Sequence, residues 1–289
     1  MTSAFISLLS GLGGMFGWGI YDFFAGVYSK KIGPYKTFFW SQLAGLFFVL
    51  TLISLFTVSR AIHDWALILL PIAALCYSTG YLLFMKGFAI GNISIVAAIM
   101  NLWAVFTMLI AFVFMGQRLS TLQFIGVIMI IVGAAAASLN WRDIQNRNFA
   151  LSAGVKETVV GAFFFGVFWN ISEIISEDIG WLPTTLGVKF CIILFLLILS
   201  VLAKRELSLA KAGAKTKSMV GLMGVVEAGA VAVVNFGLTV GDAILITPIA
   251  SALSVVTITM ALVFLKDRIT QLQGLGIITA ILGIVITGL

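Results

Sequence analysis

Apolar residues occupy this chain in long runs separated by short polar stretches. A bilayer core about 30 Å thick needs about 20 apolar helical residues to cross it. Ten runs meet that length, at roughly 4–27, 37–57, 65–87, 93–115, 121–139, 157–177, 182–203, 217–239, 243–264 and 271–288. The pattern predicts an all-α integral membrane protein of ten transmembrane helices. The first run is too long for a signal-peptide core, and no basic segment precedes it. The longest polar connections lie around 140–156 and 204–218. The first divides the chain into two sets of five spans: 1–140, a connecting loop 141–156, and 157–289.

Composition sharpens this picture. The 289 residues are 61% hydrophobic and 10% charged, too little polar material to wet a soluble surface. A net charge of +6 raises the question of nucleic acid, but the basic residues sort by loop and not by folded face. Fourteen of the 17 Lys and Arg fall in or beside odd-numbered loops: Lys30, Lys31, Lys36, Lys86, Arg142, Arg147, Lys156, Lys204, Arg205, Lys211, Lys215, Lys217, Lys266 and Arg268. Arg60, Arg118 and Lys189 lie on the other side. The positive-inside rule then places the odd loops in the cytoplasm and both termini outside; the expected location is a bacterial or archaeal plasma membrane. Cys76 and Cys191 sit inside apolar runs and read as small buried hydrophobes. With one histidine, His63, they make no metal site, and no cofactor is expected.

The sequence also repeats itself at a shift of 150. Gly87 and Gly91 fall over Gly237 and Gly241. Arg118, Gln123, Gly126 and Gly133 fall over Arg268, Gln273, Gly276 and Gly283. Five spans per copy is an odd number, so the second copy enters the membrane inverted. Two inverted five-helix repeats are an architecture from which alternating access arises.

The segment Gly237–Ile286 carries Gly-Leu-Thr-Val-Gly-Asp-Ala, Thr-Pro-Ile-Ala-Ser and Lys-Asp-Arg-Ile-Thr-Gln-Leu-Gln-Gly-Leu-Gly. It resembles the closing repeat of the drug/metabolite transporter superfamily, in its EamA-like ten-helix branch; 87–131 resembles the same pattern more loosely. The resemblance implies a secondary carrier of small organic solutes, often an exporter. It also implies a central cavity lined by the first, third, fourth, sixth, eighth and ninth helices. Where that family often has Glu before the loop Arg, this chain has Gln117 and Asp267. Its helix-breaking Pro is present as Pro248, with Ala98 in the other half.

Ionisable residues inside a span are costly and mark pathways or pairs. Asp22 shares a face of the first span with Gly14 and Trp18, and is either a substrate or proton site or a partner of Lys86. Glu227 and Asn235 share a face of the eighth span. No basic residue is expected at the depth of Glu227, so a wet cavity is read there in preference to the alternative, a buried pair. Trp169, Asn170, Glu173 and Glu177 form a stripe on the sixth span, with Lys189 entering nearby as a partner for Glu173 or Glu177. Tyr77, Tyr81, Asn101, Trp18 and Trp103 lie deep enough to line a site. The substrate-site candidates are therefore Trp18, Asp22, Tyr77, Tyr81, Asn101, Trp103, Trp169, Asn170, Glu227 and Asn235. Asp22, Glu173 and Glu227 are the candidate proton carriers. Pro248 is either a hinge or a static kink. The paired glycines Gly13/Gly17, Gly87/Gly91 and Gly237/Gly241 have the spacing for close helix contact.

The reading is a secondary transporter of amino acids or related metabolites, with the proton as candidate coupling ion and small solute and lipid as partners. A sugar carrier or an uncoupled facilitator is the alternative. No HExxH, GxSxG or paired membrane aspartates point to an enzyme.

Overall fold

The computed structural model describes residues 3–56, 63–90, 96, 99–139, 154–265 and 270–288. Ten helical segments follow the expected order. They are α1 (Ser3–Ile32), α2 (Pro34–Leu55), α3 (Asp64–Ile90), α4 (Leu102–Phe114), α5 (Thr121–Ser138), α6 (Val155–Ile179), α7 (Trp181–Leu202) and α8 (Ala214–Leu238). The ninth span is split into α9a (Ala243–Ser251) and α9b (Leu253–Met260), continued by a π-helical turn at Ala261–Leu265, and α10 is Gln271–Thr287. Eight of the ten are long and apolar enough to cross a bilayer; α4 and α10 are shorter apolar helices. Gly91, Ala98, Arg142, Arg147, Asp267 and Arg268 lie outside the described residues.

Polarity is reversed from that of a soluble protein. Large apolar side chains such as Phe47, Ile68 and Val113 point outward, while Glu173, Lys189 and Glu227 are buried. Lipid solvates the former at no cost, and the latter must be satisfied inside.

The two halves pack as reciprocal copies. α1 lies on α8 and α9, as α6 lies on α3 and α4. α2 lies on α8, as α7 lies on α3. α5 meets its own counterpart α10, α2 meets α7, and α4 meets α9a. The inversion is visible in the α5–α10 contact. A methyl group built on Gly126 would lie 2.7 Å from the Gly283 carbonyl oxygen, and one on Gly133 would lie 2.7 Å from that of Gly276. The pairing runs antiparallel and maps onto itself at the 150 shift, so a twofold axis passes between the two helices. The repeated glycines are thus where two backbones touch. Gly13 and Gly17 likewise face Val233 and Ala230, Gly237 and Gly241 face Ser10 and Ser7, and Gly87 faces Thr158.

The repeated glutamines are capping residues. Ser120 and Gln123 form a capping box at the start of α5, and Thr270 and Gln273 form the same box at α10. Each box satisfies two backbone donors that the first turn leaves free.

In the first two helices of each half the register is 147, not 150. Ser29, Gly33 and Thr37 form a hairpin corner whose counterpart is Ser176, Gly180 and Thr184. In both, the glycine nitrogen donates to the serine carbonyl and the threonine nitrogen donates to the glycine carbonyl. Gly33 and Gly180 have φ of 90° and 91°, a conformation natural to glycine alone. The three-residue difference is absorbed before α3 and α8.

Overpacking the α5–α10 contact tests this arrangement. Gly133→Val or Gly276→Val should destabilise the detergent-solubilised protein by about 1–3 kcal/mol, seen as a lower thermal unfolding midpoint. Gly221→Ala, whose added methyl would meet nothing within 4 Å, should leave the midpoint at or above that of the parent.

Candidate functional site

The bundle centre holds a small cavity of about 50 Å³. Trp18, Tyr21 and Asp22 come to it from α1, and Tyr77, Tyr81 and Phe84 from α3. Met100 and Trp103 come from the start of α4, Phe165 and Trp169 from α6, and Leu253 from α9b. Six of the ten substrate-site candidates therefore meet in one place: Trp18, Asp22, Tyr77, Tyr81, Trp103 and Trp169. No α8 residue is among the lining residues, although the resemblance implies that helix.

Three tryptophans form one wall. Trp18 and Trp169 have ring centroids 5.1 Å apart, and Trp103 lies 6.2 Å from each. The rings present several faces to one small volume, and a ring face attracts cations. Asp22 has no hydrogen-bond or ion-pair partner among the described residues. It is the one carboxylate among the lining residues, beside this aromatic wall. In the α1–α6 register its counterpart is Trp169, so two unlike residues from equivalent positions meet across the cavity. The cavity holds a water or two, so an organic solute fits only when the walls part.

Hydroxyls continue the site toward α2. Ser41 Oγ donates to the Phe38 carbonyl at 2.9 Å. Its remaining lone pairs leave it to accept from Tyr21 OH at 3.2 Å, and Tyr21 OH then accepts from Tyr81 OH at 3.3 Å. Phe38 stacks on the Tyr81 ring at a centroid distance of 3.9 Å and an interplanar angle of 10°.

Behind the cavity wall lies a buried polar cluster. Lys189 forms an ion pair with Glu227, and both are buried. Lys189 Nζ also donates to Gln42 Oε1 at 2.6 Å, and Tyr77 OH donates to Glu227 Oε1 at 2.6 Å. This corrects the expectation that Glu227 faces a wet cavity with no base at its depth. Lys189 lies eight residues into α7, about 12 Å at 1.5 Å per residue. Glu227 lies 11 residues from the end of α8 on the same side, about 17 Å, and the lysine side chain spans the difference. Gln42 is the counterpart of Lys189 in the 147 register, and Tyr77 is the counterpart of Glu227 in the 150 register. The cluster is two equivalent pairs meeting at the twofold axis.

The other pairings differ from expectation too. Lys86 pairs with Glu157 at 3.0 Å and not with Asp22. Glu173 Oε1 instead accepts from Gln117 Nε2 at 2.8 Å and from the Ala243 nitrogen at 3.0 Å, while Gln117 Oε1 accepts from the Ile244 nitrogen at 3.0 Å. These bonds cap α9a and tie it to α6 and the α4–α5 connection. They seal one end of the bundle, away from the cavity lining.

Three asparagines and the proline hold structure around the site. Asn101 Nδ2 donates to Ser138 Oγ at 3.4 Å, and Asn170 Nδ2 to the Gly166 and Thr107 carbonyls. Asn235 accepts from Ser172 and donates to Thr185. Pro248 lies in α9a, three residues before the break at Ser251–Leu253, within a fully buried helix. Among the described residues, no group of three His, Cys, Asp or Glu could hold a metal.

Sequence reasoning missed Tyr21, Phe84, Met100, Phe165 and Leu253. Phe165 carried a signal, lying four residues before Trp169 on the same helical face. Leu253 carried one only through the repeat, as the counterpart of Trp103 at the 150 shift.

Removing one member of the buried pair tests its role. Lys189→Met should cost about 3–5 kcal/mol by leaving Glu227 uncompensated. Lys189→Met with Glu227→Gln should recover most of that loss in thermal unfolding of the purified protein.

No curated relative matches the chain. A solved protein structure is similar at a TM-score of 0.76 over 97% of this chain and 95% of that one, at 15% identity, a likeness of fold. The EamA-like transporter family matches twice, over residues 5–139 and 153–289. With a helix bundle built of two inverted five-helix repeats around a central cavity, the chain belongs to the EamA-like transporter family, whose members are multi-pass membrane proteins that carry small solutes.

Proposed function

We propose that this protein is a secondary carrier of small amine-bearing organic solutes, amino acids among them, working by alternating access. The observation that carries the reading is Asp22, a carboxylate without a partner among the described residues, beside three tryptophans. A carboxylate neutralises an ammonium group, and tryptophan faces stabilise the same charge by about 0.5–2 kcal/mol each. Lys189 and Glu227 neutralise one another, so Asp22 sets the sign of the site. A cavity that admits only water implies that loading requires helix movement, and the reciprocal packing of 1–140 on 157–289 supplies two equivalent ways to open.

Asp22 is also the favoured proton carrier, since it can hold a proton or a cationic solute but not both. Glu227, satisfied by Lys189 and Tyr77, is the less suited of the acids. Glu173 suits a different part in the cycle, holding one end shut through Gln117 and α9a. The lysine and arginine bias favours cytoplasmic odd loops and external termini in a plasma membrane, and the family resemblance favours export.

Flux into proteoliposomes tests this. The parent protein should accumulate an amine or amino acid against its gradient when a pH gradient is imposed. Asp22→Asn should abolish that accumulation. Trp103→Ala should weaken solute binding about tenfold. Unchanged accumulation in Asp22→Asn would sink the coupling role. Stabilisation by sugars alone in a thermal screen would replace the amine with a sugar stacked on the tryptophans.

A further inference from the structure

A second chamber of about 220 Å³ lies between α2, α3 and the α7–α8 connection. Its body is apolar, formed by Phe38, Leu82 and Met85, and Lys86 and Arg205 also line it. Tyr81 lines both this chamber and the central cavity. Its stack with Phe38 is the partition between them.

The two chambers carry opposite charge. Glu157 holds the Lys86 ammonium at 3.0 Å. Arg205 has no ion-pair partner among the described residues. Its neighbour Glu206 is taken by Lys36 at 2.8 Å, and that bond holds the Glu206 carboxyl below the usual glutamate range. Among the described residues, the outer chamber therefore has an unpaired cation, the exposed Arg205, and the inner one has the unpaired Asp22. An apolar body with few convergent polar groups is the usual make-up of a small-molecule site.

We propose that the outer chamber is a second solute-binding site, where Arg205 takes the carboxylate of an amino-acid-like zwitterion before its ammonium end passes the Phe38–Tyr81 partition toward Asp22. The proposal rests on the carrier reading and adds to it a recognised second end of the solute. A plain amine meets only the inner charge. A zwitterion meets both, in an order that points its ammonium group inward.

Thiol labelling of the purified full-length protein tests the site without knowing the substrate. In a Cys76→Ser/Cys191→Ser background, Met85→Cys reports the outer chamber and Leu253→Cys the inner one. Leu82→Cys stands in if Met85→Cys does not fold. The probes are sulfonate- and trimethylammonium-bearing methanethiosulfonates. At Met85→Cys the sulfonate reagent should be favoured about tenfold over its intrinsic reactivity ratio, and Arg205→Gln should remove the preference. A mixture of neutral amino acids should slow labelling there, and a mixture of the amines left by removing their carboxylates should not. No charge preference, or equal protection by both mixtures or by neither, overturns the proposal. Protection by anionic phospholipid in place of amino acids also overturns it and assigns Arg205 to a lipid phosphate. Protection of Leu253→Cys by the amines, lost in Asp22→Asn, reads the inner cavity alone. Failure at Met85→Cys with success at Leu253→Cys therefore sinks the outer site and leaves the carrier reading standing.

Discussion

Charge buried in a bilayer must be neutralised inside the protein, and here Lys189 and Glu227 meet that demand across the middle of the bundle. Their other partners are Gln42 and Tyr77, contributed by the opposite repeat. The ion pair lies within the second repeat, and the first repeat completes its hydrogen bonding, so the cluster ties the two halves together. Breaking one partner would strand a charge in a low-dielectric interior. The rest of the architecture, from the α5–α10 glycine contact to the matched hairpin corners at Gly33 and Gly180, holds the two copies in the register that brings these four side chains together.

The frame is duplicated but the chemistry is not. Equivalent positions carry Gln42 and Lys189, Tyr77 and Glu227, and Asp22 and Trp169. The symmetric member of each pair provides what the other lacks: an acceptor for an ammonium, a donor for a carboxylate, an aromatic wall for a free acid. Glu173 has the same character, for its counterpart in the 147 register is Gly26. One end of the bundle is therefore closed by a carboxylate and an amide on the α9a N-terminus. Toward the basic loops the cavity is bounded by stacked rings. Two unlike closures thus stand on a symmetric frame.

The cavity lies on the axis, since three equivalent pairs line it: Trp18 with Phe165, Asp22 with Trp169, and Trp103 with Leu253. The larger member of each pair is a tryptophan, so the wall is aromatic and Asp22 is the one carboxylate in it. Phe38 and Tyr81 then divide that space from the outer chamber. Their counterparts, Thr185 and Val231, are small, and there Asn235 bonds Thr185 and Ser172 instead.

The spans, their number, the repeat and the basic-loop bias were legible in the chain itself, because each follows from local composition. Twenty apolar residues must be helical in lipid, and lysine and arginine sort by loop. The repeated glycines and glutamines were also legible, since a backbone contact and a capping box each admit few residue types. Six lining residues were legible for a related reason: a tryptophan, tyrosine or aspartate deep in an apolar run is conspicuous. Which of them pair was not. Lys189 with Glu227, Lys86 with Glu157 and Glu173 with Gln117 are contacts between segments 38, 71 and 56 residues apart. They depend on helix rotation and on the reach of flexible side chains, and neither is written in periodicity. The tertiary structure alone decided that Glu227 is neutralised and Asp22 is not, because a charge in a membrane is defined by what stands within a few ångströms of it.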